Sequence, residues 1–432
     1  MHRSRAAGLL LAVSAAACGT ATPKEHFAQA RQPTAAHGGT TAPARDAGSR
    51  DAAAPAELPD ASSAAFEACG EPPVTDGEFS RERLRSASAE CAIHRYCVFR
   101  SAARALETAV SDYADDPAES KLAAARAAWS TAMDVWSQAE LFQFGPAASA
   151  AESAGKDMFQ GKGLRDKIYA WPAASRCRVE EQIEAQPRTF DSVLISGRGL
   201  FALEYALFFT GDDSGCVSGS QSAKAWLELD STERDERKRS YARSVAVDVR
   251  KQAETLHDAW SPDAGNFKQT FVSASGYPDE QTALNVLAWA LVYIEKEVKD
   301  WKLGIPAGVT ASSPVSGPES PFAHQGTAAI KGNLRGFRSL FEGCGSGGQG
   351  LGFDDWLRSA GHSELSDELL AALSGAEKGL DQLGPLHTAS PAQIQAAYQA
   401  LRKLTDLLKG DLFGAGSPLN LKLPSSVEGD TD

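Results

Sequence analysis

From about residue 84 onward, apolar residues recur every three or four positions, the spacing that gathers them on one face of an α-helix. The run "SASAECAIHRYCVFRSAARALETAVSDYADD" keeps this spacing as far as Asp116 and Pro117, where a helix has to stop. Pro117 then suits the first turn of a second helix over about 118–143, "AESKLAAARAAWSTAMDVWSQAELFQF", which ends at Gly145 and Pro146. Residues 146–197 are irregular, and a short apolar helix is expected over about 198–209. Asp230 and Glu233 form a capping box for a long helix reaching Trp260, which "SPDAGNF" breaks. Leu284, Leu287, Leu291, Ile294, Val298 and Trp301 mark a helix over about 278–302. After the loop "GIPAGVTASSPVSGPES", helices are expected at about 323–342, 363–383 and 391–410, the last started by Ser390 and Pro391. No run alternates as a strand would. The pattern predicts an all-α protein of two tandem helical bundles, 66–220 and 221–432.

The N-terminus follows a different logic. "MHRSRAAGLLLAVSAAAC" has a basic start, an apolar run too short to span a membrane, and small residues before Cys18. It resembles a bacterial lipoprotein signal, 1–18, with Cys18 as the lipidated residue, and Gly19 after it suggests the outer membrane, facing the periplasm. Residues 19–65 are rich in Ala, Thr, Pro, Gly and Ser; they cannot bury a core and read as a disordered tether. Export makes disulfides the favoured state of Cys69, Cys91, Cys97, Cys177, Cys216 and Cys344. Their spacing leaves all 15 pairings open. The net charge of −13 excludes a phosphate-binding basic face, so no nucleic acid partner is expected.

Common catalytic signatures are absent: there is no H-E-x-x-H, no G-x-S-x-G and no phosphate loop. Glu254 and His257 lie three apart on one helical face, but no second such pair exists, and the spacing suits a solvated surface. Glu204 is more informative. In "GRGLFALEYALFFTGDD" the stripes Leu200, Leu203, Leu207 and Phe201, Glu204, Phe208 are apolar apart from this carboxylate, so it is expected to be buried. A buried carboxylate needs a partner or a proton. Arg198 and Arg165 are candidate partners, and a structural tie or a ligand-facing role remains open. Glu140, near a helix end among Trp136, Leu141 and Phe144, opposes the helix dipole, which leaves it either exposed or specially partnered.

The segments "AWSTAMDVWSQAELFQFGP", "LRDKIYAWP", "GRGLFALEYALFFTGD", "EVKDWKLGIP" and "ESPFAHQGTAAIKGNLRGFRSLFEG", together with "LKLPSSVEGDTD", resemble the imelysin family, also called M75 peptidase-like, in order from about residue 85 to the end. The resemblance implies exported, often lipid-anchored proteins of two helical bundles, linked to iron acquisition, some of them named metallopeptidases. The family motif is G-x-H-x-x-E. Gly199 matches its glycine and Glu204 its glutamate, but Phe201 stands at the histidine. A phenyl ring has no lone pair for a metal, and Glu204 alone cannot hold one. The expected function is therefore a non-catalytic envelope binding protein, serving iron or haem-related uptake alongside membrane partners. Its ligand would sit between the bundles near Glu140, Trp171, Arg198, Gly199 and Glu204, with iron or another divalent metal at Glu204 as the cofactor to test. The rivals are a metal-dependent peptidase, its histidine supplied by His94 or His257, and a structural envelope scaffold.

Overall fold

The computed structural model describes residues 68–148, 161–187, 189–305, 308–309 and 318–424. The signal with Cys18, the tether and the final acidic cluster lie outside the described residues. The described residues contain helices and no strand, as the apolar spacing predicts. Helix α1, Arg81–Asp115, starts at Ser80, whose hydroxyl accepts the Arg83 N–H, and stops before Pro117. Helix α2, Glu119–Ala139, ends earlier than its apolar pattern because the chain turns sharply through Leu141–Phe144.

Four short helices follow: α3 (Leu164–Ile168), α4 (Arg176–Ala185), α5 (Gly199–Phe208) and α6 (Gln221–Glu228). The long helix α7, Ser231–Trp260, begins where the Asp230 carboxylate accepts the Glu233 N–H. After α8 (Phe267–Val272), α9 (Glu280–Tyr293) continues into a π-helical stretch, Ile294–Gly304. The chain closes with α10 (Gly326–Phe341), α11 (Phe353–Ser359), α12 (Ser363–Leu383) and α13 (Pro391–Leu407). Helix α13 opens with a full capping box between Ser390 and Gln393.

Helix α1 packs against both α2 and α7; α5 packs on α7, α10 on α2, and α12 on α13. Residue 220 is the N-cap of α6, yet α7 beyond it returns to α1, so apolar residues from both sides of that position share one core. Disulfides join Cys69 to Cys97, Cys91 to Cys344 and Cys177 to Cys216. The second closes a separation of 253 residues and pins the loop after α10 to α1. Closing so long a loop removes much of the unfolded chain's freedom.

Candidate functional site

Helix α5 starts in a position only glycine tolerates. Gly199 has φ of +74°, and a Cβ there would come 2.5 Å from the Ile168 carbonyl oxygen. That close crossing of α3 sets the direction of α5 and sends Glu204, one turn on, into the interior, where it is fully buried. Its Oε1 accepts three hydrogen bonds from one loop: Ser320 Oγ at 3.0 Å, Phe322 N at 2.9 Å and Ala323 N at 2.8 Å. Burial raises its pKa to about 7; these donors oppose the rise, and nearby Glu319 adds to it. At neutral pH this carboxyl is poised between its two states.

Next to it lies a buried charged cluster. Lys302, on the π-helical stretch, reaches Glu140 Oε1 at 2.5 Å, Asn333 Oδ1 at 2.9 Å and Glu319 Oε1 at 2.9 Å. Asn333 in turn donates to Glu140 at 2.8 Å, and Arg165 stands 3.5 Å from the other Glu140 oxygen. Burial alone would raise the pKa of Glu140, but Lys302 and Arg165 outweigh it and hold the carboxyl below its ordinary range. Burial would lower that of Lys302, and Glu140 and Glu319 more than reverse it. Glu319 itself is raised: its desolvation and the charge of Glu140 exceed the help from Lys302. Three carboxyls thus face two cations, and full ionisation would leave net negative charge in the interior.

The Glu140 at the end of α2 is therefore buried and paired, which resolves the conflict with the helix dipole. The second oxygen of Glu204 is less well served than its neighbours. Glu204 Oε2 makes no hydrogen bond among the described residues, while Glu319 is held by Lys302 and by the Tyr169 hydroxyl beside it. Buried polar atoms are almost always satisfied, so an unpaired carboxylate oxygen here is unusual.

Glu319 and Ser320 also line a cavity of about 220 Å³, with Pro318, Ile394, His324 and His387. The two imidazoles stack with ring centroids 4.1 Å apart. Burial and the neighbouring His387 lower the pKa of His324. Ser320 connects this cavity to Glu204 through its hydroxyl.

The expected site residues fall in different places. Trp171 is buried with its ring 5.8 Å from Lys302 Nζ, and its carbonyl accepts from Arg165 at 2.8 Å. Arg198 does not meet Glu204; it pairs with Asp248 through contacts of 2.5 to 2.9 Å and so ties α5 to α7. Gly199 serves the backbone crossing. Phe201 is buried against Phe322, ring centroids 6.0 Å apart, so the phenyl fills the histidine position by packing. His94 and His257 are not partners of Glu204 or Glu319; His257 faces Arg100 and Asp258, and Glu254 binds Arg104 and Arg250.

Lys302, Glu319, Ser320, His324 and His387 are the residues sequence reasoning missed. Among the described residues, the three-residue grouping of possible metal ligands within 4.8 Å is Cys177, Glu181 and Cys216, whose sulfurs are already bonded to each other. Glu204, Glu319 and the two imidazoles do not draw that close.

Comparison with known proteins follows the same outline. The model of the family described as imelysin, Peptidase M75, matches residues 92–408. An iron-regulated protein A from Synechococcus elongatus is 24% identical over 356 residues, spanning 80% of this chain and 88% of that protein. The crystal structure of an imelysin-like protein from Psychrobacter arcticum superposes with a TM-score of 0.59 at 18% identity, covering 81% of this chain and 99% of that one.

Proposed function

We propose a function from one premise: the chain belongs to the imelysin family. In this reading it is a non-catalytic binding protein of the cell envelope, serving iron or haem-related uptake, and its ligand is a small cation or metal-bearing species held in the cavity beside Glu319. The observation that carries it is the pair of buried carboxyls Glu204 and Glu319, both held above the ordinary carboxylate range, with Glu319 lining a cavity that also presents His324 and His387. Carboxylate oxygens and neutral imidazoles are the donors that iron and zinc accept. Glu319, His324 and His387 line the cavity and would have to draw together around such an ion, with Glu204 balancing its charge by giving up a proton. The name of the Synechococcus relative supports an iron-related role.

Location belongs to the same reading. No described helix is long and apolar enough to cross a membrane. A lipid on Cys18 would hold the body at the outer membrane, facing the periplasm, where a tether of 19–65 lets it meet membrane partners in uptake.

A second reading, a metal-dependent peptidase, draws on the same two histidines, which offer imidazoles where Phe201 offers none. Calorimetric titration with Fe²⁺, Fe³⁺, Zn²⁺ and haem, on the natural protein and on Glu319→Gln and His324→Ala, tests the binding role. Stoichiometric binding weakened by both substitutions supports it. No binding of any of the four overturns it. Cleavage of casein that stops on chelation would replace it with the peptidase.

A further inference from the structure

A second pocket, of about 750 Å³, lies where α1, α2 and α10 meet the glycine-rich loop "GCGSGGQG" at 343–350. Arg95 from α1, Gln138 from α2, and Arg335, Arg338 and Ser339 from α10 line it. None of these residues takes part in the cluster around Glu204.

The three arginines are not equivalent. Arg335 is paired with Asp134, and Arg338 with Glu342 and Glu377. Arg95 has no carboxylate partner: it donates to Gln138 Oε1 at 2.8 Å and Ser339 Oγ at 2.6 Å, both neutral, and its Nε is buried without a hydrogen bond. A guanidinium carries five N–H donors, and here only two are used. Burial and the nearby Arg335 lower the Arg95 pKa to about 10 against the opposing pull of Asp134, which still leaves it a cation at neutral pH. Arg95 is thus a half-buried cation in the pocket lining with unused donors and no carboxylate in direct contact, Asp134 acting on it from beyond Gln138.

The loop across the pocket suits that something. Cys91 and Arg95 are four apart on α1, hence on one face, so the Cys91–Cys344 bond anchors the loop directly over Arg95. Gly347 and Gly348 follow each other with φ of +72° and +80°; a Cβ on Gly347 would meet nothing within 4 Å, whereas Gly348 packs against the Glu342 side chain, whose carboxylate is taken by Arg338. The backbone N–H groups of Ser346 and Gly347 make no hydrogen bond among the described residues. Free N–H groups in such a turn are acceptor-seeking. Of the acids around the pocket, Asp134, Glu342 and Glu377 are engaged by the other two arginines, and Glu71 is exposed at the rim.

We propose that this pocket binds a small anion bearing carboxylate or phosphate groups, with Arg95 as its charge partner and the 343–348 loop as its backbone cradle.

The test is calorimetric titration of the purified protein at low ionic strength with inorganic phosphate and, separately, with citrate. One-to-one binding of either is expected, weakened at least tenfold by Arg95→Gln and by Ser346→Asp, and unchanged by Glu204→Gln. Ser346 is exposed, so Ser346→Asp introduces a repelling carboxylate without disturbing the core, and it decides the matter where Arg95→Gln fails to fold. Preference between the probes assigns the ligand as carboxylate or phosphate. Binding of neither, or affinity unaltered by Ser346→Asp, overturns the site.

Discussion

Glu204 and Ser320 stand 116 residues apart in the chain and meet in a hydrogen bond of 3.0 Å. That contact joins the motif helix α5 to the loop entering α10, and Ser320 also faces the cavity with its two histidines. Glu204 is thus a structural tie, one bond away from the cavity through Ser320. Its two oxygens differ: Oε1 takes all three bonds to the loop, and Oε2 makes no hydrogen bond among the described residues.

The tie predicts different costs for two substitutions. Glu204→Ala leaves a hydroxyl and two backbone N–H groups without an acceptor, and a buried donor left unpaired costs about 1–3 kcal/mol each. Glu204→Gln keeps a carbonyl oxygen for the same donors and is expected to be close to neutral at pH 5, where the native carboxyl is also uncharged. Urea unfolding of both variants checks this; equal destabilisation would show that the three bonds do not matter.

The pH dependence has a definite sign. The folded pKa of Glu204 is about 7, against an ordinary 4.5, so between those values the native state holds a proton the unfolded chain has released. Stability contributed by this group is full below about pH 4.5 and is lost as pH rises through 7. Unfolding of the natural protein at pH 5 and 7.5, compared with Glu204→Gln, isolates the effect. The variant should lose less stability over that interval.

Lys302 is the cation between two buried carboxyls. Lys302→Met leaves Glu140 with Arg165 and Glu319 with no cation the structure shows, and breaking a buried pair from one side typically costs about 3–5 kcal/mol. Adding Glu319→Gln to Lys302→Met should recover part of that loss, because one of the stranded charges is gone. Additive costs in the double variant would rule out the proposed coupling.

Much of this architecture is legible in the sequence, and the limits are physical. The long helices show because many turns repeat one apolar spacing; α3, α4, α6, α8 and α11 are five to ten residues long and repeat it too few times. The burial of Glu204 shows because both of its helical stripes are apolar. Its partners do not show, since convergence of distant segments leaves no mark on local spacing. Arg198 is adjacent in sequence but its backbone carries it to Asp248, and the segments that resemble the family each bring one charged residue, Glu140, Arg165, Glu204, Lys302 and Glu319, to the same place.

Phe201→His tests what the motif position contributes. It places an imidazole three residues from Glu204 on the same helical face, completing the family pattern. The ring contact with Phe322 is lost and a polar ring is buried, so destabilisation of about 1–3 kcal/mol is expected. In exchange, Zn²⁺ affinity should rise at least tenfold over the natural protein. A variant that folds and gains no affinity would show that Glu204, anchored through Oε1, cannot serve as a metal ligand.

Cation binding should itself depend on pH, and in the direction opposite to stability. A cation near Glu204 and Glu319 favours their ionised forms, so binding expels the proton that Glu204 holds below about pH 7. His324, its pKa lowered by burial and by His387, favours the neutral, ligand-ready form more than a free imidazole does. Linkage then requires affinity to rise with pH, by roughly tenfold between pH 5.5 and 7.5 for one proton released. The same titration in buffers of different ionisation enthalpy counts that proton directly. In Glu204→Gln the proton is absent, and the slope should flatten while binding through Glu319 and the histidines persists. A slope identical in both proteins would assign the titration to the imidazoles and leave Glu204 as a tie alone.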